Sequence, residues 1–111
     1  MRILAIERER PTPPLAILSD LLREEAETIW DLVKRGIIRD IWFTAADRHA
    51  VIMLECFNAA EAREHLATLP LVRYGQIDFT LHELRTYDGF ERLFALSDEP
   101  LRRRQKEPAE Y

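Results

Sequence analysis

Glycine, cysteine and histidine are scarce in this 111-residue chain, and each shortage removes a class of chemistry. The three glycines, Gly36, Gly75 and Gly89, stand alone, so there is no glycine-rich loop to cradle a phosphate and no dinucleotide fingerprint. Cys56 is the single cysteine, which excludes an intrachain disulfide and a cysteine-built zinc cage. It falls inside a strand pattern with no nucleophile signature around it, and is expected to be inert. His49, His65 and His82 show no metal-ligand spacing among themselves, so no metal is expected. Basic residues are not in excess: 16 against 20 acidic ones give a net charge of -4. The pI near 5.4 leaves no footprint for nucleic acid or for an anionic membrane. No apolar run reaches the roughly 20 residues of a spanning helix, and Met1 to Glu7 meets charge too soon for a signal peptide. A cytoplasmic location is therefore expected.

What remains is an ordinary globular composition, 47% hydrophobic and 32% charged, in a length that supports one core. Ile3 to Arg8 reads as a first strand ending before a proline cluster. Thr12 can cap a helix that Pro13 and Pro14 enter. Leu15, Leu18, Leu22, Ala26, Ile29 and Val33 recur at helical steps, with an acidic middle (Glu24, Glu25, Glu27) and a basic end at Lys34 and Arg35. Gly36 supplies the left-handed stop. Ile37 to Thr44 and His49 to Phe57 read as two strands around a turn. Asn58 and Glu61 form a capping box for a second helix, lined by Ala62, Leu66 and Leu69. Gln76 to Leu84 alternates as a fourth strand. Asp88 caps a short terminal helix carrying Phe90, Leu93 and Phe94. A charged tail, residues 98–111, follows the domain of residues 1–97.

The order βαββαβ predicts a ferredoxin-like α+β fold, an antiparallel four-stranded sheet with both helices on one face and an extra C-terminal helix. The other face of such a sheet should be polar. The third strand breaks that rule, with Val51, Met53 and Phe57 on one side and Ala50, Ile52, Leu54 and Cys56 on the other. Two apolar faces and helix enough for one imply a second copy of the chain laid sheet against sheet. The apolar link Leu69-Pro70-Leu71-Val72-Arg73-Tyr74, with Pro70 stopping the helix, is read as an interface element of that homodimer.

Three stretches carry a family resemblance: Gly36-Ile37-Ile38-Arg39-Asp40-Ile41-Trp42, the Ala45 to Glu55 turn and strand, and Leu69-Pro70-Leu71 followed by Tyr74. At these separations the chain resembles the muconolactone isomerase family, within the dimeric α+β barrel superfamily. The likeness runs from Lys34 to Phe79, and more weakly back to about Glu25. It implies a cofactor-free isomerase that assembles as a homo-oligomer and shifts a double bond in a five-membered unsaturated lactone. Such a shift removes a proton next to a carbonyl and delivers one two carbons away, which needs an acid, a base and a donor for the enolate oxygen. The chain departs from the family at the turn into strand three, where Arg48 and Ala50 stand in place of a tyrosine and an asparagine. Alanine makes no side-chain hydrogen bond, so a changed substrate and a lost activity are both open.

His49 and Glu55 are the catalytic candidates. His49 opens strand three and can serve as acid or base, or be a plain interface histidine. Glu55, if turned into the barrel, would have its pKa raised by desolvation toward that of a useful base; otherwise it pairs with an arginine. Arg48, with Arg39 and Arg73, could hold a substrate carboxylate. Trp42 and Tyr74 could wall a pocket, and Asp78, Thr80 and His82 share one face of strand four, lining a cavity or facing solvent. His65 is placed on the outer face of helix two. The alternatives are a non-catalytic barrel that binds a small ligand or only assembles, and a cofactor-free monooxygenase of the same superfamily.

Overall fold

The alternation in the strands and the three-and-four spacing in the helices both become structure in the computed structural model, which describes residues 1–10 and 19–94. The elements are β1 (Arg2–Glu9), α1 (Ser19–Lys34), β2 (Ile38–Phe43), β3 (Ala50–Glu55), α2 (Ala59–Leu66), α3 (Pro70–Arg73) and β4 (Ile77–Glu83), with a 3-10 helix at Gly89–Leu93. The sheet order is β2-β3-β1-β4, and every neighbouring pair is antiparallel. This is the ferredoxin-like α+β arrangement. The proposed cap at Thr12 and the charged tail lie outside the described residues.

Two glycines are required by geometry. Gly36 and Gly75 have φ of 77° and 72°, and each closes a helix through a pair of bonds. Gly36 N–H donates to Val33 O and Ile37 N–H to Leu32 O; Gly75 N–H donates to Val72 O and Gln76 N–H to Leu71 O. A residue with a Cβ would be strained in this left-handed position. Asn58 caps α2 by accepting from Glu61 N–H at 2.9 Å, and Glu61 Oε1 accepts in return from Phe57 N–H at 3.0 Å. The capping box is present, reaching one residue further back than the usual N-cap amide.

Ile3, Ala5, Ile38, Ile52, Leu54 and Phe79 meet Leu32, Ala62, Leu66 and Leu69 in one core between the sheet and the helices. The Leu-Pro-Leu segment differs from its expected role. α2 ends at Leu66, and Pro70 begins α3 instead of stopping a helix, because its fixed φ suits a first helical position and holds Leu69 extended before it. Leu69 is 1% exposed and Pro70 is fully buried, so both serve this chain's own core rather than an interface. The terminal stripe also differs: Phe90, Leu93 and Phe94 are exposed, since one short 3-10 helix is too brief to lay a stripe on the sheet.

The strand register divides the sheet into two unlike sides. Pairs Ile3↔Leu54, Ala5↔Ile52 and Glu7↔Phe79 face the helices. Pairs Leu4↔Met53, Ile6↔Val51 and Trp42↔Val51 form an apolar centre on the open side, bordered by Arg8, Asp78 and His82. Among the described residues, no helix is long and apolar enough to cross a membrane.

Candidate functional site

β1 pairs with β3 from Arg2↔Glu55 to Ile6↔Val51, and the ladder ends there. At the next position Glu7 takes over with its side chain: Oε1 accepts from Ala50 N–H at 2.7 Å. Strand alternation turns this carboxylate toward the helices, as with Ile3 and Ala5. Across from it, α1 presents Leu22, Glu25, Ile29 and Leu32 at steps of three and four, so Glu25 occupies a place in the inward stripe. Glu25 Oε1 accepts from Leu71 N–H at 2.9 Å, which ties α1 to the first turn of α3.

These two carboxylates line a cavity of about 590 Å³ between α1 and the sheet. Apart from these and Arg48, its walls are apolar: Leu22, Ala26 and Ile29 from α1, Ile41 and Phe43 from β2, Ile52, Ile77 and Phe79 from the sheet, and Leu69 and Leu71 from the α3 region. That is the size and character of a small-molecule pocket, apolar with few polar groups. Glu25 is 9% exposed, and burial pushes its carboxyl above the usual carboxylate range. The bond from Leu71 N–H pulls the other way, and the nearby negative charge of Glu7 adds to the rise. A carboxyl held in this way exchanges a proton nearer neutral pH.

Arg48 stands at the cavity's edge. The turn from β2 to β3 is closed by Arg48 N–H to Thr44 O at 2.9 Å and Thr44 N–H to His49 O at 2.8 Å. This puts Arg48 at φ 54°, a left-handed conformation uncommon for a residue with a long side chain. Its guanidinium lies 4.5 Å over the Phe43 ring, a cation–π contact that holds the charge beside the opening.

Of the residues singled out from the sequence, Arg48 and Trp42 belong to this cavity. Trp42 is half exposed, and its register opposite Val51 places it on the sheet's other side from Phe43. His49 is outside the lining; it is half-buried, and its N–H donates to Thr44 Oγ1 at 3.0 Å. Glu55 follows the second of its two readings, the carboxylate paired with an arginine. It lies on the open side, where Oε2 meets the N-terminal amine at 2.6 Å and Oε1 meets Arg2 at 3.3 Å. Those two cations hold its carboxyl below the usual range, the amine first. Tyr74 is exposed beyond α3 with Arg73 over its ring, and His82 is exposed opposite Leu4 on the open side. Neither lines the cavity. Asp78 accepts from Arg8 at 2.8 Å, and Arg39 donates to Gly36 O, so both are engaged in local bonds.

Glu7 and Glu25 are the residues that the sequence reading passes over. The signals were present: Glu7 continues the inward alternation of Ile3 and Ala5, and Glu25 sits three residues after Leu22 and four before Ile29.

No family model and no curated protein matches the chain. Among solved structures, muconolactone isomerase is similar over 89% of this chain and 98% of that one, with a TM-score of 0.64 and 16% identity. The 5-chloro-2-hydroxyhydroquinone dehydrochlorinase TftG from Burkholderia phenoliruptrix AC1100, in complex with 2,5-dihydroxybenzoquinone, is similar over 80% of this chain and 98% of that one, with a TM-score of 0.55 and 14% identity. Both belong to the dimeric α+β barrel superfamily that the sequence resemblance names. At these identities, what is shared is the fold.

Proposed function

We propose that the chain is a cofactor-independent isomerase acting by general acid and base catalysis on a small unsaturated lactone or related carboxylate, and that it works as a homodimer or larger homo-oligomer. The observation that carries this reading is Glu25, a nearly buried carboxyl with a raised pKa, facing an apolar cavity beside Glu7. One fold neighbour is by name a muconolactone isomerase and the other holds a small quinone, which supports a flat ring as the substrate class.

In this reading Glu25 removes a proton from one ring carbon, and the electron pair passes into the conjugated system toward the carbonyl oxygen. The same carboxyl returns the proton two carbons away, so one C–H bond breaks, one forms and the double bond moves between them. Burial makes the ionised carboxylate a better base than it would be in water. Arg48 binds a substrate carboxylate at the opening, as its planar guanidinium suits a bidentate pair. Burial raises the Glu25 pKa, and Glu7, bonded to Ala50 N–H, adds its negative charge to that rise. His49, Glu55, Tyr74 and His82 are secondary candidates, and the test separates His49 from Glu25.

The homo-oligomer rests on the open side of the sheet. Leu4, Ile6, Val51, Met53 and Trp42 make an apolar centre there that no helix among the described residues covers, and an identical face would cover it.

The experiment is proton NMR in D₂O, with the purified chain and a five-membered unsaturated lactone that bears a carboxylate. Deuterium should enter the ring as the double bond moves. Glu25→Gln should slow this by about 10²- to 10⁴-fold, the range of a general acid or base. His49→Ala should retain most of the rate. Saturable binding without exchange would leave a ligand-binding barrel, and a full rate in Glu25→Gln would remove the carboxyl from the chemistry.

A further inference from the structure

A second group of chemistry-bearing side chains lies on the other helix, away from the cavity. We propose that Cys56, Glu61 and His65 form a binding site for a borderline-soft divalent cation, with zinc(II) as its best fit. Their ligand atoms, a sulfur, a carboxylate oxygen and an imidazole nitrogen, all lie within 4.8 Å of one another. Two elements bring them together. Cys56 follows the last residue of β3, while Glu61 and His65 are four apart on α2 and so share one face.

The group is partly organised for the task. Glu61 Oε1 accepts from Phe57 N–H at 3.0 Å, which fixes the carboxylate and leaves Oε2 at 3.6 Å from His65 Nε2. Tetrahedral zinc with bonds of roughly 2.3 Å to sulfur and 2.0–2.2 Å to nitrogen and oxygen holds its ligand atoms about 3.5 Å apart. The ligand atoms, at most 4.8 Å apart, need to draw together by little more than about 1 Å to reach that spacing. Cys56 is 5% exposed, so the core shields the inner side, whereas His65 and Glu61 are 20% and 41% exposed and open the outer side. Three protein ligands leave a fourth position for water. A sulfur ligand with an imidazole selects zinc-like cations over magnesium or calcium. Binding releases the thiol proton to solvent as the sulfur becomes a ligand.

This departs from the expectation of no metal, and from the placing of His65 on an outer face. A search for paired histidines misses a set written Cys-x₄-Glu-x₃-His, because each ligand is of a different kind. None of the three residues lines the cavity, so the site stands or falls apart from the isomerase reading.

The test is titration of the full chain with Co²⁺ as a spectroscopic probe, followed by displacement with Zn²⁺. The expected result is saturation at one ion per chain, with a thiolate-to-cobalt charge-transfer band that Zn²⁺ removes. Cys56→Ser should abolish the band. His65→Gln and Glu61→Gln, both at partly exposed positions, should keep the circular dichroism of the native fold and bind at least about tenfold more weakly. Zn²⁺ should also slow alkylation of Cys56 by N-ethylmaleimide. The absence of a charge-transfer band, or an unchanged affinity in His65→Gln, would overturn the site. Should Cys56→Ser fail to fold, His65→Gln decides it.

Discussion

Glu25 and Asp78 each accept a backbone N–H, at 2.9 Å from Leu71 and 2.8 Å from Phe79, yet their carboxyls are pushed in opposite directions. Glu25 faces the helix-covered side of the sheet, where burial in apolar surroundings raises its pKa. Asp78 faces the open side, where Arg8 at 2.8 Å and the backbone bond lower it. A backbone donor by itself therefore does not fix the protonation state. Access to water and to a guanidinium does, and it differs across a single sheet. The side that excludes water is where a carboxyl's pKa is raised, the kind of environment that proton transfer uses. The other side keeps its carboxylates charged and paired.

The comparison breaks most visibly at two neighbours in β3. Ile52 is 1% exposed under the helices, whereas Met53 is half-buried on the open side. Ile52→Ala should cost about 2–5 kcal/mol, as a core truncation that leaves a void. Met53→Ala should cost about 0.5 kcal/mol or less at protein concentrations low enough to dissociate an oligomer. Where a second copy covers this face, the Met53 cost should grow with concentration. Urea unfolding at two concentrations reads both effects. Equal costs at low concentration would mean that the two sides do not differ.

A smaller effect separates two replacements at Glu25. Glu25→Ala leaves the Leu71 N–H without its acceptor, a loss of about 1–3 kcal/mol. Glu25→Gln keeps an oxygen for that bond and removes the charge that burial disfavours, so it should be more stable than the parent at neutral pH. The sign follows from linkage. A folded-state pKa above the unfolded one means that the folded chain holds its proton more tightly. Stability then falls as pH rises from the ordinary carboxylate range through the raised value. The advantage of Glu25→Gln should vanish on acidification below about pH 4, as the parent carboxyl becomes neutral in both states. Thermal melts at several pH values check this, and a Gln variant less stable at pH 7 would contradict the burial argument.

The architecture was legible because hydrophobic period carries it. Alternation marked β1 to β4 within one or two residues of their ends, and Gly36 and Asn58 marked a helix end and a helix start through their backbone chemistry. The apolar third strand also announced a second face. The site was less legible. Glu25 sits between Glu24 and Glu27, and a run of acids reads as a solvated face unless the steps to Leu22 and Ile29 are counted. Glu55 and Glu25 present the same residue type, and only packing decides which one loses its water. The gap between α1 and the sheet arises from how whole elements meet, which no local pattern encodes. Pro70 misled for a related reason: proline ends one helix and begins another equally well, and the buried Leu69 before it decided which.

The smallest expected effect is the mirror image of the Glu25 result. Asp78→Asn retains an oxygen for Phe79 N–H and loses the charge that pairs with Arg8. The pair is partly solvated, with the Arg8 side chain 62% exposed, so the loss at neutral pH should stay within about 1 kcal/mol and shrink in high salt. A depressed folded-state pKa contributes stability that is present above the ordinary aspartate value and is lost as pH falls through the folded one. Parent and variant should therefore converge at strongly acidic pH, with the variant the weaker of the two at pH 7. Glu25→Gln must move the other way at that same pH. Should both substitutions shift stability in one direction, the two sides would not differ in their access to water. Glu25 would then be a carboxylate like any other, without the environment that a proton-transfer group requires.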